Sequence, residues 1–437
     1  VPVSLWTLLR EWGRIGCIGF GGPPAHIRLL RQLVVERRGW LDAREFEDAV
    51  AVCNLLPGPA STQLTIFCAW RLRGRVGALV GGAAFILPGL VVILALSVLF
   101  VSSSPPLAVL GAGAGAGGAV PAVAISAGAS LAGPSWKNRR ATWRWLLYLA
   151  AGLAVAATAG EWLVLVLLAC GAAEVGIRSA RGDFAAGGNA GGTDDGGTAD
   201  RPGTGGVDAG TGDGAGTGGG ADSRGRDTGG AGTGGTGGGG DKLHGLAAVP
   251  VALTWLVGGG VLASVAWEAL KVGGLSFGGG FVIIPLMQSD AVNHYHWMTS
   301  AQFLNAVALG QITPGPVVQT VAVVGYAAAG IGGALLASAV AFAPSFAFVL
   351  LGGPHFGQIR GNQRVRAFLD GAGPAAVGAI LGSAITLARA LGHPWQYLVL
   401  AGALVLLFPL RRGVVLTLLG AAAVGVMLAL AAGTVSP

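Results

Sequence analysis

The chain has 437 residues, 53% of them apolar and only 11% charged, with a mean hydropathy of +0.67. Soluble domains carry about 25% charged residues, so an ordinary soluble enzyme is excluded. The net charge of +7 sits in short loops between apolar runs. That is the positive-inside pattern of a polytopic membrane protein, not a nucleic-acid-binding surface.

The first predicted segment, 4–22, carries Glu11 and Arg14 at helical i,i+3 spacing and ends on the break Phe20-Gly21-Gly22-Pro23, with His26 just beyond. Loop 23–45 is basic (Arg28, Arg31, Arg37, Arg38, Arg44), and so is loop 71–75 (Arg71, Arg73, Arg75). Between them, run 46–70 holds Pro57-Gly58-Pro59 at its middle. Proline removes a helical hydrogen bond and clashes with the preceding turn, so this run is expected to be a re-entrant hairpin that returns both loops to one side. Runs 76–101 and 107–132 are long enough to cross, since about 20 residues are needed. Shorter runs follow at 145–159 and 162–177, with basic residues at 137–144 and Glu161 at the opposite turn.

Residues 182–241 contain nine of the chain's 20 acidic residues and a glycine at nearly every second position. Such a composition cannot bury enough apolar surface to offset its ordering entropy, and the segment is read as a flexible linker. Beyond it, segments are predicted at 246–277, 301–327, 331–353, 367–391, 395–409 and 413–433.

The second half repeats the first. A shift of 257 places Glu11 on Glu268, Phe20-Gly21-Gly22 on Phe277-Gly278-Gly279, Trp40 on Trp297 and Pro57-Gly58-Pro59 on Pro314-Gly315-Pro316. A shift of 256 then pairs Gln63 with Gln319 and Pro88 with Pro344. The loop charges reverse: 285–300 has no Lys or Arg, whereas 354–366 has Arg360, Arg364 and Arg366. The expected fold is therefore an all-α polytopic membrane protein. It has two inverted-topology repeats (1–181 and 242–437), about ten crossings, and two Pro-Gly-Pro broken or re-entrant segments, the plan of secondary transporters.

In such a plan the substrate lies where broken helices meet, and a helix N-terminus binds oxyanions through free N–H groups and its dipole. The candidate binding residues are Asn54, Pro57, Gly58, Pro59, Ser61, Thr62 and Gln63, with Gln311, Pro314, Gly315, Pro316 and Gln319 in the second half. Gly21, Gly22, Gly278 and Gly279 are further breaks, and His26 is a neighbouring polar group. Arg14 and Lys271 are candidates for positive support, and Glu11 and Glu268 for a coupling proton, since ionisable groups inside a membrane usually mark a pathway. The bland alternatives are packing kinks and neutral ion pairs near the interface. His294 and His296 lack a third ligand, and the four cysteines have no paired spacing. No metal or cofactor is expected.

The stretches Phe20-Gly21-Gly22-Pro23-x-Ala25-His26-Ile27, Arg38-Gly39-Trp40-Leu41, Leu56-Pro57-Gly58-Pro59-Ala60-Ser61-Thr62-Gln63 and Leu87-Pro88-Gly89 strongly resemble the first domain of the chromate ion transporters. Lys271-Val272-Gly273, Phe277-Gly278-Gly279-Gly280 and Thr313-Pro314-Gly315-Pro316-Val317 resemble their second domain. The resemblance covers everything except the linker. It implies a multi-pass inner-membrane protein that exports chromate with the proton-motive force and confers chromate resistance, with sulfate as the chemical look-alike. Its partners would be the oxyanion, protons and the bilayer, with a homodimer possible. An anion channel or a sulfate-type oxyanion transporter on the same fold are the alternatives.

Overall fold

The computed structural model describes residues 3–100, 106–137, 139–158, 160–183, 260–276, 280–353 and 362–432. The linker beyond 183, together with Gly278 and Gly279, lies outside the described residues. Among the described residues all regular structure is helical. The first half comprises α1 (Leu5–Ile18), α2 (Pro23–Arg31), α3 (Ala43–Leu55), α4 (Ala60–Phe100), α5 (Leu107–Lys137), α6 (Thr142–Thr158) and α7 (Leu163–Ala180). The second comprises α8 (Val261–Leu275), α9 (Ile284–Gln288), α10 (Ser300–Ile312), α11 (Thr320–Gly352), α12 (Gln363–Arg389), α13 (Pro394–Leu407) and α14 (Val414–Ala432). Six helical stretches are long and apolar enough to cross a membrane, and α13 is a shorter apolar helix.

Local chemistry sets the element ends. Ser4 caps α1 by accepting the Thr7 N–H, Asp42 caps α3 through the Arg44 N–H, and Thr299 with Gln302 forms a capping box at α10. The repeat recurs in backbone geometry. α3 and α10 are both 13 residues long, and a wide π-type turn precedes each, at Gln32–Arg37 and at Ser289–His294. α4 is two helices that turn back on each other at Arg73 (φ −142°, ψ 21°) and Gly74 (φ 61°, ψ −150°), so that Gly77 and Gly81 pack against Ala69. α11 is interrupted in the same way at Ala329 (φ −150°, ψ 29°) and Gly330 (φ 62°, ψ −153°). A left-handed φ favours glycine, which accounts for Gly74 and Gly330 in the matching place.

α3 and residues 60–72 form a hairpin whose tip is Pro57-Gly58-Pro59. Its two ends meet, because Arg71 donates to Glu45. Thirteen helical residues rise about 20 Å, short of the ~30 Å hydrocarbon core, so the tip falls within a membrane's depth.

The halves interlock. α1 packs on α4 and α8 on α11, while α4 and α11 pack on each other. α5 packs against α13 and α14 of the other half, and α12 against α6 and α7. α5 and α12 are the most enclosed spans, with 67% and 72% of an 18-residue stretch buried, against 28–39% for the others. Small residues permit this approach. A Cβ on Gly378 would overlap the Leu149 carbonyl, and one on Gly115 the Ala421 carbonyl, whereas nothing stands within 4 Å of Gly402. Cys53, Cys68 and Cys170 are buried and Cys17 is exposed. Gly378→Val should therefore lower stability by about 1–3 kcal/mol, as overpacking does, while Gly402→Val stays near wild type. Thermal unfolding of the two purified variants in one detergent checks the contrast.

Candidate functional site

Each Pro-Gly-Pro break docks on the opposite half. Gly58 (φ +115°) faces the Gly273 carbonyl of α8 and the Ser345 hydroxyl of α11, each 3.4 Å from where a Cβ would stand. Gly315 (φ +100°) donates its N–H to the Gly19 carbonyl at the end of α1, at 3.1 Å. Pro314 and Gln319 lie against Gly89 of α4, where a Cβ would overlap them. Gly22 of the first glycine break, itself at φ +73°, faces Val317, and Gly280 faces Val318.

Beyond each break a helix begins. The N–H groups of Thr62 and Gln63 already bond the Pro59 carbonyl, and that of Gln319 bonds Pro316. Ala60 and Ser61, and likewise Val317 and Val318, are left as the amides with no intrahelical acceptor.

The side chains correct part of the sequence reading, which took Ser61, Thr62 and Gln63 together as donors to an anion. His26 is fully buried, with Nε2 2.9 Å from the Gly19 carbonyl and Nδ1 3.2 Å from Ser61 Oγ. A neutral ring must donate from Nε2 to the carbonyl, so Nδ1 accepts the Ser61 hydroxyl. Gln63 Nε2 donates to the Pro57 carbonyl at 2.6 Å, closing its own break. Gln319 Nε2 donates to the Ile86 carbonyl, also at 2.6 Å, tying the second break to α4. Thr62 Oγ1, Gln311 Nε2 and Ser345 Oγ remain buried without a partner among the described residues, as do Gln63 Oε1 and Gln319 Oε1. Buried polar atoms are nearly always hydrogen-bonded, so these orphans beside the two helix starts call for partners, either water or a polar ligand. The hydroxyls, the Gln311 amide and the helix-start N–H groups are donors for an oxyanion.

The charged candidates also rearrange. Glu11 does not pair with Arg14, which is exposed on α1. It accepts from Arg38 at 2.6 Å, and Arg38 lies over the Trp40 ring. The π-type turn brings Arg38 back onto α1, an approach that helical spacing cannot reveal. Glu268 is buried and stands 2.8 Å from Lys271 Nζ, which also donates to Asp290. Asp290 was missed because its partner in the repeat is Leu33, so a search for shared motifs passes over it. Ser345 was missed for the same reason, since its counterpart is Gly89. Asn54 is exposed at the end of α3 and lines a separate cavity. No group of three metal-ligating side chains occurs among the described residues.

These positions separate two kinds of effect. Thr62→Val removes an orphan hydroxyl and should weaken oxyanion binding by about 1 kcal/mol, roughly fivefold. Gly58→Val and Gly315→Val put β-branched residues at left-handed φ and should abolish binding at the breaks. Radiolabelled oxyanion binding at matched protein amounts is the check, and wild-type affinity in both glycine variants would reduce the breaks to packing kinks.

A family model described as "Chromate transporter" matches residues 6–175 and 263–426. A chromate transport protein of Cupriavidus metallidurans is 28% identical over 394 residues, 88% of this chain and 83% of that protein. A probable chromate transport protein of Synechococcus elongatus is 26% identical over 390 residues, 88% and 85%. A chromate transport protein of Pseudomonas aeruginosa is 27% identical over 389 residues, 89% and 82%. No solved structure matches the chain.

Proposed function

The chain belongs to the chromate transporter family, and we propose that it exports chromate across the inner membrane by alternating access, driven by protons, and so confers chromate resistance. The observation that carries this reading is the set of orphaned buried groups around the two helix starts at Ala60 and Val317. Thr62, Ser345 and Gln311 donate to the tetrahedral oxyanion, together with the backbone amides ahead of each helix. Gln63 and Gln319 present acceptor oxygens, which suit the O–H of a singly protonated oxyanion or a bound water. The repeats 1–181 and 242–437 are read as inverted, with the segment 182–241 joining them. α4 and α11, which pack on each other, are the elements whose tilt would expose the breaks to one side and then the other.

The coupling proton is assigned to Glu268. Two carboxyls, Glu268 and Asp290, face one ammonium, Lys271, with His294 at the end of the same π-type turn as Asp290. With both acids ionised the cluster carries one uncompensated negative charge, costly at a buried position. One proton on Glu268 removes it. The first half has no such surplus, since its single counterpart Glu11 already has Arg38.

Chromate flux in vesicles, with and without an imposed pH gradient, tests the coupling. Wild-type export should follow the gradient, whereas Glu268→Gln, which fixes the neutral state, should bind chromate but lose the gradient dependence. Gradient-independent flux in the wild type would remove proton antiport and leave a channel.

A further inference from the structure

A cavity lined by charged side chains lies apart from the breaks, at the junction of α5 and α6, with α7 and α12 as its far walls. Its volume is about 250 Å³, several times the ~30 Å³ share of one water, so it can hold a tetrahedral oxyanion with part of its hydration shell. Four arginines line it, Arg139, Arg140, Arg144 and Arg178, against two carboxylates, Glu174 and Asp370.

The arginines divide into floor and mouth. At the floor Glu174 receives Arg144 at 3.0 Å and Arg178 at 2.9 Å, and Arg178 reaches Asp370 across the halves at 2.7 Å. Arg144 is only 5% exposed, yet its Nε has no partner among the described residues. At the mouth Arg139 and Arg140 are exposed. Arg139 is held 3.6 Å over the Trp136 ring, and the nearest carboxylate to Arg140 is Asp183, at 3.9 Å. The floor is close to neutral and the mouth carries the surplus positive charge, a funnel for anions.

The junction of α12 and α13, which occupies the equivalent place in the second half, also bears a cavity, of about 210 Å³. Asn305, His393 and Gln396 line it, and no Arg, Lys, Asp or Glu does. Packing alone would not require four arginines in one cavity and none in its counterpart. The basic cavity is also continuous with the hairpin, because Asn54, three residues before Pro57, forms part of its wall.

We propose that this cavity is a second oxyanion site, a vestibule that gathers a divalent tetrahedral oxyanion on one face of the protein and delivers it along Asn54 toward the breaks. The delivery role rests on the breaks being the transport site; the binding itself does not. The same chemistry would also accept the phosphate of an anionic lipid.

The test is equilibrium binding of radiolabelled chromate and sulfate to the purified full chain in detergent at low salt. Wild type should bind two oxyanions, and Arg139→Gln/Arg140→Gln, whose changes are on exposed side chains, should bind one. Gly58→Val should retain the salt-sensitive site and lose the other. Raising the ionic strength should weaken the vestibule site first, because exposed charges are screened. In transport the arginine variant should raise KM severalfold at unchanged kcat. Equal stoichiometry and affinity in wild type and the arginine variant would overturn the vestibule, whereas two sites persisting in Gly58→Val would overturn only the reading of the breaks. Repeating the sulfate measurement in phosphatidylcholine nanodiscs with and without phosphatidylglycerol identifies the source. Loss of the second site only with phosphatidylglycerol assigns the site to lipid phosphate, and its persistence assigns it to the free oxyanion.

Discussion

A backbone N–H or C=O that is left unpaired at membrane depth costs several kcal/mol, and the whole arrangement depends on how two broken helices meet that demand. Neither break can satisfy itself fully. The first uses its own Gln63 amide on the Pro57 carbonyl. The second reaches into the other half, with the Gly315 N–H on Gly19 and the Gln319 amide on Ile86. The Gly19 carbonyl also takes His26, which in turn accepts Ser61 at the start of the first new helix. One carbonyl thus links both helix starts. Irregular backbone is tolerated here because it is buried in protein, with Gly58 against α8 and α11 and Gly315 against α4 and the end of α1.

The two halves share a backbone plan but differ in charge, and the difference has physical consequences. Glu11 and Arg38 form one accessible pair, whereas Glu268, Lys271 and Asp290 form a buried group of three. The cavity of the first half is rich in arginine and that of the second is uncharged. A fixed asymmetry of this kind alters how strongly an anion is held on each face. It does not move the overall equilibrium, which only a coupled gradient can do. On the proposed reading the vestibule and the buried carboxyls have different parts, the one to raise local substrate concentration and the other to link transport to protons.

Much of this was legible in the sequence, for stated reasons. Proline and glycine determine backbone geometry directly, so the breaks at 57–59 and 314–316 and the repeat itself could be read from residue types. The basic loops on either side of run 46–70 implied a hairpin, and the contact of Arg71 with Glu45 closes it. Side-chain allegiance was not legible. Ser61 and Gln63 have the right chemistry to face a ligand, but His26 and Pro57 claim them first. Arg38 reaches Glu11 only because a π-type turn redirects the chain. Asp290 and Ser345 break the repeat, and the arginine cavity draws on α3, α5, α6, α7 and α12, which are spread over both halves of the sequence. A motif search cannot see these features, since they arise from packing.

The central claim is that the orphaned groups beside both breaks touch the same oxyanion. Single cysteines at positions 62 and 345, in a background lacking the four native cysteines, test it through the rate of modification by a small thiol reagent during turnover. Chromate and sulfate should slow modification at both positions and leave a cysteine at Gly402, on the outer surface of α13, unaffected. Equal rates with and without oxyanion at positions 62 and 345, in variants that still transport, would contradict the account.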